Sequence, residues 1–126
     1  NSPIQKQVHT QILEPALFIR EISRCRTFVL QEEVEQLRKQ GLGSRTTAQD
    51  LLVFGPRGPI DNQLRYANEP SRHKVLDMVG DLALLGVELC GHVVAYRSGH
   101  PLNVELTRKL ASRLGSKESL TANIAA

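Results

Sequence analysis

The chain has 126 residues, of which 40% are hydrophobic and 23% charged, with a formal net charge of +3. These values are typical of one soluble domain with a real core, and they exclude a disordered chain. The basic residues are spread along the chain and stacking aromatics are scarce, so the sequence argues against nucleic-acid binding.

The first half of the chain predicts short elements that alternate between strand and helix. Pro15 suits a first helical turn, and Gly41 suits a helix C-terminus. Between residues 31 and 41, acids precede bases, while Val34 and Leu37 supply an apolar face. The expected elements are an edge strand at 6–13, a helix at 14–22, a strand at 25–30, a helix at 31–41 and a strand at 50–54.

The second half predicts a long helix that starts near Asn68 and ends near Gly86, a strand at 88–97 and a last helix from Pro101 to Gly115. Residues 1–115 are therefore expected to form one domain, and residues 116–126 a flexible tail. The order of elements predicts an α+β fold. We expect a two-layer sandwich with helices on one face of a small mixed or antiparallel sheet, plus a small β-α-β-like excursion.

The long helix carries chemistry-bearing side chains at regular spacing. His73, Asp77 and Asp81 follow one another every four residues, so they form one stripe of the helix. The stripe is either a solvated polar face or part of a metal site, because an imidazole and a carboxylate at i and i+4 can reach one ion. A catalytic zinc needs a third protein ligand. His100 lies at a glycine turn before the last helix, where it is placed to reach a ligand.

Targeting and redox features favour a cytoplasmic protein. No apolar run approaches the ~20 residues that cross a bilayer, and no signal peptide is recognised. Cys25 and Cys90 are predicted to be two buried thiols rather than a disulfide or zinc framework. The chain begins with Asn1 and its single methionine is Met78, which suggests a fragment of a longer protein.

Two segments together resemble the C-terminal half of UDP-3-O-acyl-N-acetylglucosamine deacetylase, the zinc amidase of lipid A biosynthesis. They are "RHKVLDMVGDLALLG" and "GHVVAYRSGHPLN". Upstream, "NSPIQKQ", "FIREISRCRTF" and "EEVEQLRKQGL" follow the family's order, so the resemblance covers about residues 1–114.

The resemblance implies an active site between two similar α+β domains, of which this chain supplies the second. His73 and Asp77 match two of three zinc ligands, and Lys74 matches a lysine that contacts the substrate's diphosphate. Asp81 and His100 match a hydrogen-bonded pair, in which His100 stabilises charge or protonates the leaving amine.

Two further matches lie in the "RTF" stretch. Thr27 matches a threonine that helps to hold the oxyanion. Phe28, with the excursion from about 28 to 54, matches the passage for the acyl chain. The chemistry is consistent, since zinc polarises a carbonyl and activates water, and a held imidazolium favours an anionic intermediate.

The chain also departs from the family pattern. The family's third zinc ligand and its glutamate base form a Glu-His pair in the first domain, and no such dipeptide occurs here. Val29 and Leu30 stand where the family has a glycine and an aromatic residue. We therefore expect half an active site, inactive alone. The alternative is a non-catalytic binding domain that kept the fold, with anionic or nucleic-acid partners.

Overall fold

The computed structural model of the protein describes residues 2–43, 45–47 and 49–115. The expected flexible tail, residues 116–126, lies outside the described residues, and that expectation stays a prediction. The chain divides into two compact units, which meet in sequence between His73 and Lys74. No helix in the described part is long and apolar enough to cross a membrane.

The first unit contains a small mixed sheet. In chain order, the unit contains helix α1 (Pro15–Glu21), strand β1 (Thr27–Leu30), helix α2 (Gln31–Lys39), strand β2 (Leu51–Gly55) and strand β3 (Gly58–Pro59). Strand β1 pairs in parallel with β2, with Thr27 opposite Leu51, and β2 pairs with β3 in antiparallel fashion. Helix α2 packs against β1 and β2. The α+β class and the β-α-β excursion are therefore confirmed.

Local sequence explains why β1 gives way directly to α2. The Glu33 carboxylate accepts a hydrogen bond from the backbone N–H of Leu30 at 2.8 Å, which satisfies a donor at the helix start. After α2, Gly41 has a φ of 74°, a left-handed conformation that glycine adopts without a steric penalty. The predicted C-terminal glycine of this helix is thus confirmed.

Helix α3 (Glu69–Ala83) begins in the first unit and continues into the second, where helix α4 (His100–Leu114) follows. In the first unit the side chains of Ile22 and Leu52 are fully buried. In the second unit the buried positions include Leu82 of α3 and Thr107 of α4. Both long helices agree with the sequence prediction to within a few residues.

Two predicted strands are wrong. Residues 6–13 and 88–97 are described without strand hydrogen bonding. In the second stretch Val94 and Tyr96 are 82% and 79% exposed. A segment of high β-propensity forms a strand only where another strand pairs with its backbone. Among the described residues, no strand pairs with either stretch. Cys90 is also exposed rather than buried, whereas Cys25 is buried as predicted.

Candidate functional site

His73 is contacted at both ring nitrogens by residues that flank the start of β1. Its Nδ1 lies 3.2 Å from the carbonyl oxygen of Cys25, and its Nε2 lies 3.2 Å from Oγ1 of Thr27. A carbonyl only accepts, so Nδ1 carries a proton and donates to it, while Nε2 and the Thr27 hydroxyl form a second hydrogen bond. The Phe28 ring stands edge-on to His73, with 6.0 Å between the centroids. His73 is only 8% exposed, so the imidazole ring is almost completely buried.

A buried ion pair joins the same two elements one turn earlier on α3. The Nε of Arg26 donates to Oε1 of Glu69 at 2.9 Å, and Nη2 donates to Oε2 at 3.0 Å. The backbone N–H groups of Arg26 and Arg65 also donate to this carboxylate. Burial alone would raise the pKa of Glu69, but these hydrogen bonds outweigh it and hold the pKa below its usual value.

In the second unit, Asp81 anchors His100. The Nδ1 of His100 lies 2.8 Å from Oδ2 of Asp81, and since a carboxylate only accepts, Nδ1 donates. Asn103 donates from Nδ2 to the same oxygen at 2.9 Å, and Thr107 donates to the backbone carbonyl of Asp81. Burial would raise the pKa of Asp81, but the hydrogen bonds from Asn103 and His100 lower it overall. Asp81 therefore stays ionised while it orients the imidazole.

Asp77 lies between these contacts on α3. Its side chain is 10% exposed and accepts a hydrogen bond from Nζ of Lys74 at 3.0 Å. The Nε2 of His100 lies 3.9 Å from Oδ1 of Asp77. Asp77 and Asp81 are thus partly enclosed and paired, which contradicts the solvated-face interpretation of the stripe.

The structure distributes the predicted site residues over the two units. Thr27, Phe28 and His73 contact one another in the first. In the second, hydrogen bonds or ion pairs connect Lys74 to Asp77 and Asp81 to His100. The sequence analysis did not single out four residues that support these groups, namely Arg26, Glu69, Asn103 and Thr107. For Asn103 the available signal was its position three residues after His100 on the same helix.

Two cavities flank α2 in the first unit. One, of about 420 Å³, is lined by aliphatic side chains with a polar rim; its apolar wall includes Val34, Leu37, Leu42, Leu51, Val53 and Ile60. The other, of about 410 Å³, is lined by Phe28, Val29 and Leu37 together with Glu33, Gln36 and Gln40. Both volumes fall within the range of small-molecule pockets.

The donor chemistry fits a metal in part. His73 in the first unit and Asp77 in the second carry side chains of the kinds that zinc accepts as ligands. The carbonyl that accepts from Nδ1 of His73 is the kind of outer partner that metal-binding histidines have. Within the described residues, no three His, Cys, Asp or Glu side chains cluster tightly enough to hold an ion.

A buried, oriented imidazole and a histidine anchored by a carboxylate are features of hydrolytic enzymes on an α+β scaffold. The comparisons with known proteins agree with that class. A family model described as LpxC, UDP-3-O-acyl N-acetylglycosamine deacetylase, matches residues 1–112. The chain belongs to the UDP-3-O-acyl-N-acetylglucosamine deacetylase family.

Individual relatives carry that name. The protein from Trichormus variabilis is 43% identical over 93 residues, which are 74% of this chain and 33% of the relative. The one from Thermosynechococcus vestitus is 42% identical over 99 residues, 79% of this chain and 35% of the relative. A Chlamydia trachomatis protein is 36% identical over 121 residues, 95% of this chain and 42% of the relative. The chain thus spans about a third of the length of the first relatives it matches.

Proposed function

We propose that this chain is the second domain of a zinc-dependent amidase that removes the N-acetyl group from UDP-3-O-acyl-N-acetylglucosamine. The reaction is a step of lipid A biosynthesis and would take place in the cytoplasm. The observation that carries the proposal is the buried His73, whose Nδ1 donates to the Cys25 carbonyl and whose Nε2 contacts the Thr27 hydroxyl. Family membership supports the choice of substrate.

His73 and Asp77 would hold zinc, with a third ligand from the partner N-terminal domain of the same enzyme. When bound, zinc polarises the acetamide carbonyl and activates a water molecule for attack on it. The hydroxyl of Thr27 is the donor in the first unit that can serve an oxyanion. In this structure it contacts Nε2 of His73, and it would turn to a new acceptor if a ligand occupied that nitrogen.

His100 would act at the leaving amine. Because Nδ1 of His100 is engaged by Asp81, the ring presents Nε2 as the atom that transfers a proton. The imidazole is 64% exposed, which leaves it accessible to substrate. Asp81 contacts His100 and would act through it, as a residue that positions the acid.

Lys74 and Phe28 would bind the two ends of the substrate. The Lys74 ammonium rests on Asp77 in this structure and would exchange that partner for the diphosphate. Phe28 and the cavities beside α2 offer an apolar surface for the acyl chain. Val29 and Leu30, which replace a glycine and an aromatic residue of the family pattern, keep this surface aliphatic.

Zinc titration of the complete protein tests the proposal. His73→Ala is expected to weaken zinc binding at least about 100-fold, since it removes a ligand rather than an outer partner of one. His92→Ala is the matched control, because His92 is an exposed histidine outside the site, and it should leave the affinity unchanged. Equal affinity of His73→Ala and the unmodified protein would overturn the proposal and favour a non-catalytic binding domain.

A further inference from the structure

The buried Arg26–Glu69 pair lies where two contacts to His73 are made. Arg26 stands between Cys25 and Thr27, which touch Nδ1 and Nε2 of His73. Glu69 precedes His73 by four residues, or one turn of α3. The pair therefore connects residues 25–27 to α3, as the His73 contacts do, but one helical turn closer to the start of α3.

The pair is almost completely enclosed. Glu69 is 0% exposed and Arg26 is 7% exposed. Every arm of the Arg26 guanidinium has an acceptor: Nε and Nη2 donate to Glu69, Nη2 also to the carbonyl of Gln63 at 2.7 Å, and Nη1 to Oδ1 of Asn62 at 2.9 Å. The backbone N–H of Arg26 donates to Oε1 of Glu69 at 3.0 Å, so the strand itself is bonded to the helix side chain.

Stability alone does not account for such a pair. Desolvation largely cancels the Coulomb energy of a buried ion pair, and well-packed apolar side chains of similar volume stabilise a core as well or better. What a two-pronged guanidinium–carboxylate contact adds is a fixed distance and orientation between the elements that carry it. Here the fixed elements are residues 25–27 and the first turns of α3.

We propose that Arg26 and Glu69 are positioning residues for His73. By holding residues 25–27 against the first turns of α3, they keep the Cys25 carbonyl as the acceptor of the Nδ1 proton and so select the tautomer in which that proton stays on Nδ1. The pair touches no reacting atom and acts only through His73. That His73 then serves zinc rests on the proposed function; that its tautomer is fixed does not.

The test is the tautomer of His73 in the complete, metal-free protein labelled with ¹⁵N-histidine. Spectra are recorded at about pH 8, above the ordinary imidazole pKa of ~6.5, with the His73 signals assigned by their loss in His73→Gln. The unmodified protein should show one tautomer, with the proton on Nδ1. Glu69→Gln keeps the shape of the side chain but removes its charge, and it should give a mixture of both tautomers.

The control separates positioning from stability. Ile22→Val shortens a fully buried side chain of the same unit that is not among the His73 contacts, and it should lower the denaturation midpoint while leaving the tautomer single. Arg26→Lys keeps the positive charge but loses the planar guanidinium that donates to both carboxylate oxygens of Glu69, so it should also give mixed tautomers. If Glu69→Gln does not fold, Arg26→Lys provides the test of the proposal.

Zinc affinity provides a second readout. Glu69→Gln should weaken binding by about 10- to 100-fold, the usual effect of disturbing an outer partner of a ligand. A folded Glu69→Gln or Arg26→Lys protein with one unchanged tautomer would overturn the proposal, and so would mixed tautomers in Ile22→Val. If the deacetylase function fails instead, His73→Ala leaves zinc affinity unchanged while the tautomer result still stands.

Discussion

At the scale of single residues, each unit holds one imidazole that is oriented by hydrogen bonds. In the first, Nδ1 of His73 donates to the Cys25 carbonyl and Nε2 contacts the Thr27 hydroxyl. In the second, Asn103 and His100 both donate to Oδ2 of Asp81.

The Thr27 hydroxyl has a role that can be tested by an isosteric change. Thr27→Val keeps the branched shape and removes the donor. If Thr27 holds the oxyanion, kcat of the complete enzyme should fall by about 10²- to 10³-fold with little change in KM, since the contact forms in the transition state. Thr10→Val, at an exposed threonine, is the control and should leave both constants unchanged. A normal kcat in Thr27→Val would remove Thr27 from the catalytic machinery.

Asp81 should make stability depend on pH. Because its folded pKa is lowered, its contribution to the free energy of unfolding is fully present above the unfolded pKa of about 3.9 and is lost as the pH falls through the folded value. Asp81→Asn should therefore show a weaker loss of stability below about pH 4 than the unmodified protein. Urea titrations at several pH values measure this difference.

The comparison needs a variant that loses a carboxylate elsewhere. Glu35→Gln, at an exposed position of α2, should keep the acid dependence of the unmodified protein. Identical pH profiles for Asp81→Asn and the unmodified protein would show that the hydrogen bonds from His100 and Asn103 do not depress this pKa.

The sequence predicted the candidate site residues, but not the residues that hold them in position. His73, Asp77 and Asp81 follow from helical spacing alone, since that spacing fixes which side chains share a face. The burial of His73 and the link between Arg26 and Glu69 do not follow, because they join residues 43 positions apart. Only the fold, which brings residues 25–27 to the first turns of α3, makes them neighbours.

At the scale of elements, the sequence predicted correctly those helices and strands whose formation depends on residues close together in the chain. The β1-α2-β2 excursion was predicted because its strands are rich in β-formers and its helix has acids first, bases last and a terminal glycine. The strand expected at 88–97 was wrong although its composition is equally favourable. A helix bonds within itself, whereas a strand requires a partner, which composition does not reveal.

Helix α2 also provides a way to test the acyl passage. Leu37 lines both cavities beside the helix. Leu37→Trp would narrow both, so KM should rise for substrates with long acyl chains and stay the same for short ones. The expected effect is about fourfold per methylene excluded, since each buried methylene contributes about 0.8 kcal/mol.

A tryptophan elsewhere in the chain is the control for that measurement. Leu84→Trp adds the same side chain at a position that is 74% exposed and outside both cavities, and it should not alter chain-length preference. An equal response to long and short chains in Leu37→Trp would place the acyl group elsewhere.

At the scale of the whole molecule, the donor set is incomplete. The described residues hold no cluster of three metal-binding side chains, and the sequence has no Glu-His pair. The relatives are two to three times longer than the stretch they share with this chain. With His73 and Asp77 as the two proposed ligands, and without a third ligand or a general base, we expect a chain that binds zinc weakly and does not turn over substrate.

Separate assays of this chain and of the complete protein test that expectation. The 126-residue chain should release no acetate from UDP-3-O-acyl-N-acetylglucosamine, whereas the complete protein should, and chelators should abolish its activity in a manner that added zinc restores. A chain carrying His73→Ala is the control for adventitious metal, because its residual zinc binding should equal that of exposed histidines. Substantial turnover by the isolated chain would mean that the base and third ligand lie within these residues after all. Inactivity of the complete protein, together with zinc binding that is insensitive to His73→Ala, would instead favour a domain that kept the fold and lost the chemistry.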